Sequence, residues 1–389
     1  MMANMTLLDT SELDTPATLR EDKTPLIDDL SSGAKYAIAF GGQGGEWLSA
    51  LSGIVRDFAL ERACLELVTR SNEHLARLRS DIAHIPHDFD VLSWVDSLAV
   101  GESAENLDGP ALPSKEQLTM PVHSVPGIVL TQLLGLAALE RQGLDVRRHR
   151  PVAILGHSQG TIACQAVQGV DPVELLTIAR LIGLAAQQLG ARKNLLGRTM
   201  ISVSGVDPDR VAEIVAPSGA HLRLRNGRRS CVLSGRTHEI EHAIDLLTAV
   251  SEREKGQRQR KEVGGAAFGP VIEDVDASLA FHHPDLAKGS ELVAEWAEKL
   301  GYNGSHAAEL TRSAIVDSVD WVHTVNEAMD AGAEWVLDLG PSDLATRLSI
   351  AETRPRGVGL VATTTRKGHR ALTTVGARPR RTTAWANFA

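Results

Sequence analysis

The sequence predicts an α/β protein: an α/β-hydrolase-like parallel sheet flanked by helices, with a ferredoxin-like subdomain inserted into it. Three observations carry this reading. Short, fully apolar runs stop in glycine-rich turns near residues 40, 156 and 340, as buried parallel strands do. Between about residues 200 and 276 the pattern switches to a βαββα run followed by one more strand. The chain has 389 residues, 43% apolar and 23% charged, so it is globular and long enough to bury a large core.

Residues 1–33 are polar and acidic with no sustained period, and read as a flexible leader. Lys35 to Phe40 is the first strand, ending in Gly41-Gly42-Gln43-Gly44-Gly45. Helical patterning runs from Trp47 to about Leu78, and Glu102 to Lys115 reads as a loop. Pro126 to Gln142 is apolar on nearly every face, which predicts a buried helix. Pro151 to Leu155 is a second buried strand, running into Gly156-His157-Ser158-Gln159-Gly160 and then a helix. Asp171-Pro172 opens another helix, with aspartate as N-cap and proline in the first turn.

The insert is placed at 199–265. It holds a strand at Met200 to Val203, a helix at Asp207 to Val215, and strands at His221 to Arg225 and Cys231 to Ser234 around a turn at Asn226-Gly227. A helix from Thr237 to Val250 and a charged surface loop from Ser251 to Val263 follow. The core is placed at 34–198 and 266–353, resuming with a helix at Asp317 to Ala331 and a strand at Trp335 to Leu339. Residues 354–389 are basic and rich in Thr, Gly and Arg, and read as a linker or C-terminal extension without core, of the kind that leads into a larger synthase.

Composition excludes several functions. The formal charge is −9 and aromatics are 4%, which argues against a nucleic-acid partner. The most apolar stretch, Val125 to Leu139, is short and interrupted, so no membrane association is expected. Cys64, Cys164 and Cys231 are odd in number and far apart, with neither disulfide framework nor metal spacing. The compartment expected is the reducing cytoplasm, with no metal site.

Gly156-His157-Ser158-Gln159-Gly160 fits G-x-S-x-G. A sharp strand-to-helix turn exposes the serine hydroxyl, and glycine on either side relieves the crowding. The N–H of Gln159 then lies at a helix N-terminus, suited to developing negative charge. A second donor must come from another loop, and Gly41-Gly42-Gln43-Gly44 is the candidate; it is neither Walker A nor G-x-G-x-x-G. A serine nucleophile needs a base. His282 lies after the insert on a loop able to return to the core, with His283 beside it; His157, in the elbow itself, could also reach Ser158.

Together Phe40-Gly41-Gly42-Gln43-Gly44, the Ser158 elbow, Phe281-His282 and Asp338-Leu339-Gly340-Pro341 resemble the acyl-carrier-protein acyltransferases in order and spacing. Pro121-Val122-His123-Ser124-Val125-Pro126 leading to Gln132, and Asn226-Gly227 followed by Val232-Leu233-Ser234-Gly235, resemble the acetyltransferase domain of type I fatty acid synthases. The similarity spans about residues 34–351. It implies Ser158 as nucleophile and His282 as base, with the N–H groups of Gln43 and Gln159 as oxyanion hole. It also implies a backbone carbonyl that orients the histidine, matched to Ala314 within a residue or two. His283 stands where the family commonly has serine.

The resemblance implies acyl transfer to the phosphopantetheine thiol of an acyl carrier protein, without a cofactor. Malonyl-specific relatives carry an arginine before a glycine on the helix after the elbow. Here the segment is Arg180-Leu181-Ile182-Gly183, which puts Ile182 in that place. An apolar side chain leaves a buried carboxylate unbalanced but suits a methyl group. Acetyl-CoA is therefore the expected donor, and the implied role is priming of fatty acid synthesis. A malonyl-CoA transacylase in which Arg180 reads the carboxylate, and a serine esterase or thioesterase using Asp274 or Asp276 as third member, are the alternatives.

Overall fold

A computed structural model describes residues 24–44, 46–78, 82, 89–100, 112–261 and 269–378. Most of the expected leader, the expected loop up to residue 111, and the terminal aromatics Trp385 and Phe388 lie outside these residues.

Among the described residues, nine strands form two sheets: β1 (Tyr36–Phe40), β2 (Ala153–Gly156), β3 (Met200–Ser204), β4 (His221–Gly227), β5 (Ser230–Ser234), β6 (Val271–Asp274), β7 (Val319–Asp320), β8 (Trp335–Asp338) and β9 (Gly359–Ala362). The first sheet has the order β2-β1-β8-β9 and is parallel throughout. Ala37 pairs with Ala153 on one side and Val336 on the other. All of β1 is buried, which is why its sequence shows no alternation. The register brings the C-terminal ends of β1, β2 and β8 together, and their glycine-rich turns with them.

The second sheet has the order β6-β3-β5-β4-β7. Its first four strands are antiparallel, and with the helices Pro208–Val215 and Thr237–Lys261 they form the expected ferredoxin-like unit. This unit has its own core around Ile201, Val211, Leu233, Ile240 and Leu247. Helices Pro121–Arg141 and Pro172–Lys193 lie in the main core, the latter capped by Asp171, which accepts from the Val173 N–H at 2.8 Å. The helix Pro121–Arg141 is longer than the apolar run suggested and could cross a membrane by length and composition, but 83% of its apolar window is buried inside the protein.

Several boundaries differ from the sequence reading. The insert runs to Asp274, because β6 completes its sheet. The charged stretch after Val250 is helical to Lys261, since Glu, Lys, Gln and Arg are good helix formers whatever their exposure. The hairpin turns at Arg228-Arg229, leaving Asn226 inside β4. The single helix expected after Trp47 is two, Trp47–Asp57 and Glu61–Ala76, separated near the left-handed Ala59.

Both ends of the expected core are also larger. Residues 354–378 are not a linker: β9 adds an edge strand, and the helix Arg366–Thr373 buries Ala371 and Leu372. The helix Leu26–Ser31, within the expected leader, buries Leu26, Ile27 and Leu30, and Asp29 pairs with Arg378 at 2.7 Å.

Candidate active site

The elbow begins as β2 ends. Ser158 has φ +55°, the left-handed conformation that a sharp turn imposes on the residue at its apex. The flanking glycines answer to contacts. A Cβ on Gly156 would lie 2.7 Å from Thr161 Cα, and one on Gly160 would lie 2.2 Å from the Phe40 carbonyl oxygen. The helix Gly160–Val167 is thereby pressed against β1.

The Ser158 Oγ lies 2.7 Å from His282 Nε2. His282 is also left-handed, at φ +64°, and both side chains are buried. His282 Nδ1 lies 2.5 Å from the carbonyl oxygen of Asp317. A carbonyl can only accept, so Nδ1 carries the proton and the Nε2 lone pair faces the serine hydroxyl. That is the tautomer a general base needs. Burial pushes the His282 pKa down to about 3, only partly opposed by the bond to Asp317, so the ring is neutral at neutral pH.

The orienting carbonyl is thus that of Asp317, not the expected Ala314. The Ala314 carbonyl instead lies 3.3 Å from Ser158 Oγ, and that of Ile315 accepts the His282 N–H at 2.7 Å. All follow from the end of the helix Gly304–Ile315, where the last carbonyls have no partner within the helix.

Gln43 follows Gly42, which packs directly on the elbow: a Cβ there would lie 2.8 Å from both Ser158 Cβ and the His157 carbonyl oxygen. The Gln43 N–H donates to Gln159 Oε1 at 3.0 Å, and the same oxygen lies 3.0 Å from Ser158 Oγ. An amide carbonyl oxygen therefore occupies the place between nucleophile and donor that an oxyanion would take. Gln132 ties the two loops behind it, donating to the carbonyls of Gly41 at 2.6 Å and Gly340 at 2.7 Å.

The dyad opens into a cleft of about 330 Å³ between the two sheets, lined by Met200, Leu224, Val232 and Phe281 among others. His157 lines it too, but its Nε2 lies 2.9 Å from Asn226 Oδ1 and its ring meets Trp321 edge-on, so it is held away from a role as base. His283 Nδ1 accepts from the Asp285 N–H at 3.2 Å and caps a turn. Ile182 is fully buried in the main core and is not among the cleft's lining residues. Arg180 is buried as well; it donates to Asn72 Oδ1 at 2.5 Å and stacks over Phe89. Asp274 pairs with Arg198 and Asp276 with Lys115, and neither bonds His282. The three cysteines are free and buried, their thiols pushed up to about 12 by burial. Sequence reasoning missed Asp317, which acts through its backbone, and Asn226, which it placed in a turn.

Residues 199–274 match the family model of the fatty acid synthase central AT domain. Over 256 residues, 64% of this chain, the sequence is 25% identical to the norsolorinic acid synthase of Emericella nidulans, covering 10% of that protein. The chain spans only 5–14% of the length of the curated relatives it matches. Among solved structures, the malonyl-CoA–acyl carrier protein transacylase of Coxiella burnetii superposes with a TM-score of 0.63 at 16% identity, covering 88% of this chain and 98% of that one. A malonyl-transacylase in complex with its type II polyketide synthase acyl-carrier protein gives 0.61 at 16% identity, covering 87% and 99%. The resemblance to acyl-carrier-protein acyltransferase domains stands, and the fold is that of the transacylases.

Proposed function

We propose that this chain moves an acetyl group from acetyl-CoA, through an ester on Ser158, to the phosphopantetheine thiol of an acyl carrier protein, priming fatty acid synthesis within a larger cytoplasmic synthase. The observation that carries the reading is the Ser158–His282 pair with its tautomer set by Asp317. Ser158 Oγ attacks the thioester carbon while its proton passes to His282 Nε2. The carbonyl oxygen becomes an oxyanion held by the N–H groups of Gln43 and Gln159, once the Gln159 side chain has moved aside. Collapse breaks the C–S bond, and coenzyme A leaves with the proton from His282. The carrier thiol then gives its proton to His282 and attacks the ester; collapse returns that proton to Ser158.

Acetyl is favoured over malonyl by charge. Among the described residues the cleft's arginine is Arg347, more than half exposed and paired with Asp343 at 2.9 Å. Glu273, Asp274 and Asp276 also line it and disfavour a second carboxylate. Arg180, the malonyl-reading candidate, is already committed to Asn72 and Phe89. Malonyl transfer is the second reading, supported by what the structural neighbours transfer. A hydrolase is the weaker one, since the base here leans on a carbonyl and not on a carboxylate.

The test is intact-protein mass after incubation with acetyl-CoA and malonyl-CoA separately, followed by peptide mapping. Acetyl on Ser158, absent from Ser158→Ala, is expected, with passage to a holo carrier protein. A label on Cys164 or Cys231 refutes the nucleophile, and preferential malonyl loading refutes the substrate.

A further inference from the structure

We propose that Arg223, on the ferredoxin-like subdomain, is a positioning residue for His282: it clamps the segment whose carbonyl orients the base. The inference rests on the reading of Ser158 and His282 as nucleophile and base. Four consecutive carbonyls leave the end of the helix Gly304–Ile315. Those of Ala314, Ile315 and Asp317 face Ser158 or His282. The fourth, of Val316, points the other way and accepts from Arg223 Nη2 at 2.6 Å.

Among the described residues, the segment's own N–H groups at Val316 and Asp317 bond only locally. The N–H groups of Val316 and Asp317 both return to the Arg312 carbonyl, at 2.9 and 2.8 Å. Beyond them β7 pairs with β4 through Leu224 and Val319 for only two positions. Arg223 adjoins that pairing, so the subdomain grips the segment by one guanidinium and a two-residue ladder. The Val316 carbonyl and the Asp317 N–H share one rigid peptide plane, so the Arg223 bond restrains that plane and, through the Asp317 Cα it ends on, the start of the next plane, which carries the Asp317 carbonyl. Release of Val316 lets Asp317 turn from His282 Nδ1, and with it the ring's tautomer and aim at Ser158. The base is therefore oriented from the subdomain, although its own loop belongs to the main core.

The experiment uses the full chain and a fluorophosphonate probe, in which Ser158 Oγ displaces fluoride at phosphorus and His282 takes the proton. The rate at probe saturation reads serine activation without any acyl donor. Arg223→Ala should lower that rate at least tenfold with half-saturation little changed. Arg223→Lys, which keeps one donor, should recover part of it. Arg229→Ala, in the same hairpin but bonded to the Gly205 carbonyl at 3.1 Å, should label like wild type. A folded Arg223→Ala labelled at the wild-type rate overturns the proposal, as does an Arg223→Lys no faster than Arg223→Ala. No labelling of wild-type Ser158 removes the dyad and the proposal together. Normal labelling without acetylation by acetyl-CoA refutes the substrate reading alone.

Discussion

Gly42→Ala is the most direct test of how the oxyanion site is built. Gly42 has no left-handed backbone, so the effect comes from contact alone. The new Cβ would sit 2.8 Å from Ser158 Cβ and from the His157 carbonyl oxygen, where ordinary contact begins at 3.4 Å. The loop must retreat by about 0.6 Å from an elbow that already packs tightly on the same strand end, where a Cβ on Gly160 would lie 2.2 Å from the Phe40 carbonyl oxygen. Gln43 is the next residue, and its N–H lies 3.0 Å from the oxygen it now serves. A retreat of that size takes the donor to the edge of hydrogen-bond range. Loss of one oxyanion donor costs about a hundredfold to a thousandfold in rate. Overpacking costs about 1–3 kcal/mol of stability, too little to unfold a protein of this size. Rapid-quench acetylation read by intact mass should therefore slow by about a hundredfold, with a modest loss in Tm. A folded variant that acetylates within threefold of wild type would show that Gln43 does not stabilise the oxyanion.

Three further outcomes are expected. His282→Ala should lower self-acylation by about a hundredfold or more, and His283→Ala, which loses only a turn cap, should cost far less; the opposite ranking refutes the assignment. Ile182→Arg, which buries an unpaired charge in the main core away from the cleft, should lower Tm and leave the malonyl-to-acetyl loading ratio unchanged, as should Arg180→Ala; a raised malonyl ratio in folded Ile182→Arg would show that this core position senses the acyl group. With its pKa near 3, His282 should keep kcat/KM level from pH 8 down to 5, and an acid limb near 6.5 would contradict its burial. The same shift contributes to stability: no loss above pH 6.5, then a loss of up to about 1.4 kcal/mol per pH unit as pH falls toward 3, because the unfolded chain takes the proton first. Buried Asp338, raised to about 6, works in the opposite sense, so urea unfolding of wild type should be compared with His282→Gln.

The parts legible in the sequence were those in which a local contact demands one residue type. Gly156, Gly160 and Gly42 are required by approaches under 3 Å, and such glycines stand out beside an apolar strand. Ser158 and His282 were found through the motifs around them. The Asp317 carbonyl was not, because a backbone acceptor leaves no mark on residue type; the resemblance led to Ala314, three residues away on the same helix end. Asn226 was hidden by Asn-Gly, the commonest hairpin pair, although here it lies within β4 and serves His157. β9 was missed because four residues, Gly359–Ala362, in a basic stretch are too few to show a period.

The order β2-β1-β8-β9 also has a consequence for how the chain is made. β1 and β2 can pair once residue 156 has emerged, but the other edge of β1 stays open until β8 arrives at residue 335. At about 5–20 residues per second that is a wait on the order of ten seconds or more. Through it an apolar strand edge, Tyr-Ala-Ile-Ala-Phe, is open to pairing with another chain. The ferredoxin-like subdomain, with its own core, is synthesised within this interval and can fold in the meantime. Truncation before residue 335 should therefore yield a folded subdomain attached to an aggregating N-terminal half. Because Ser158, His282 and Asp317 all emerge before β8, labelling of that serine during synthesis would show whether the dyad forms before the first sheet is complete.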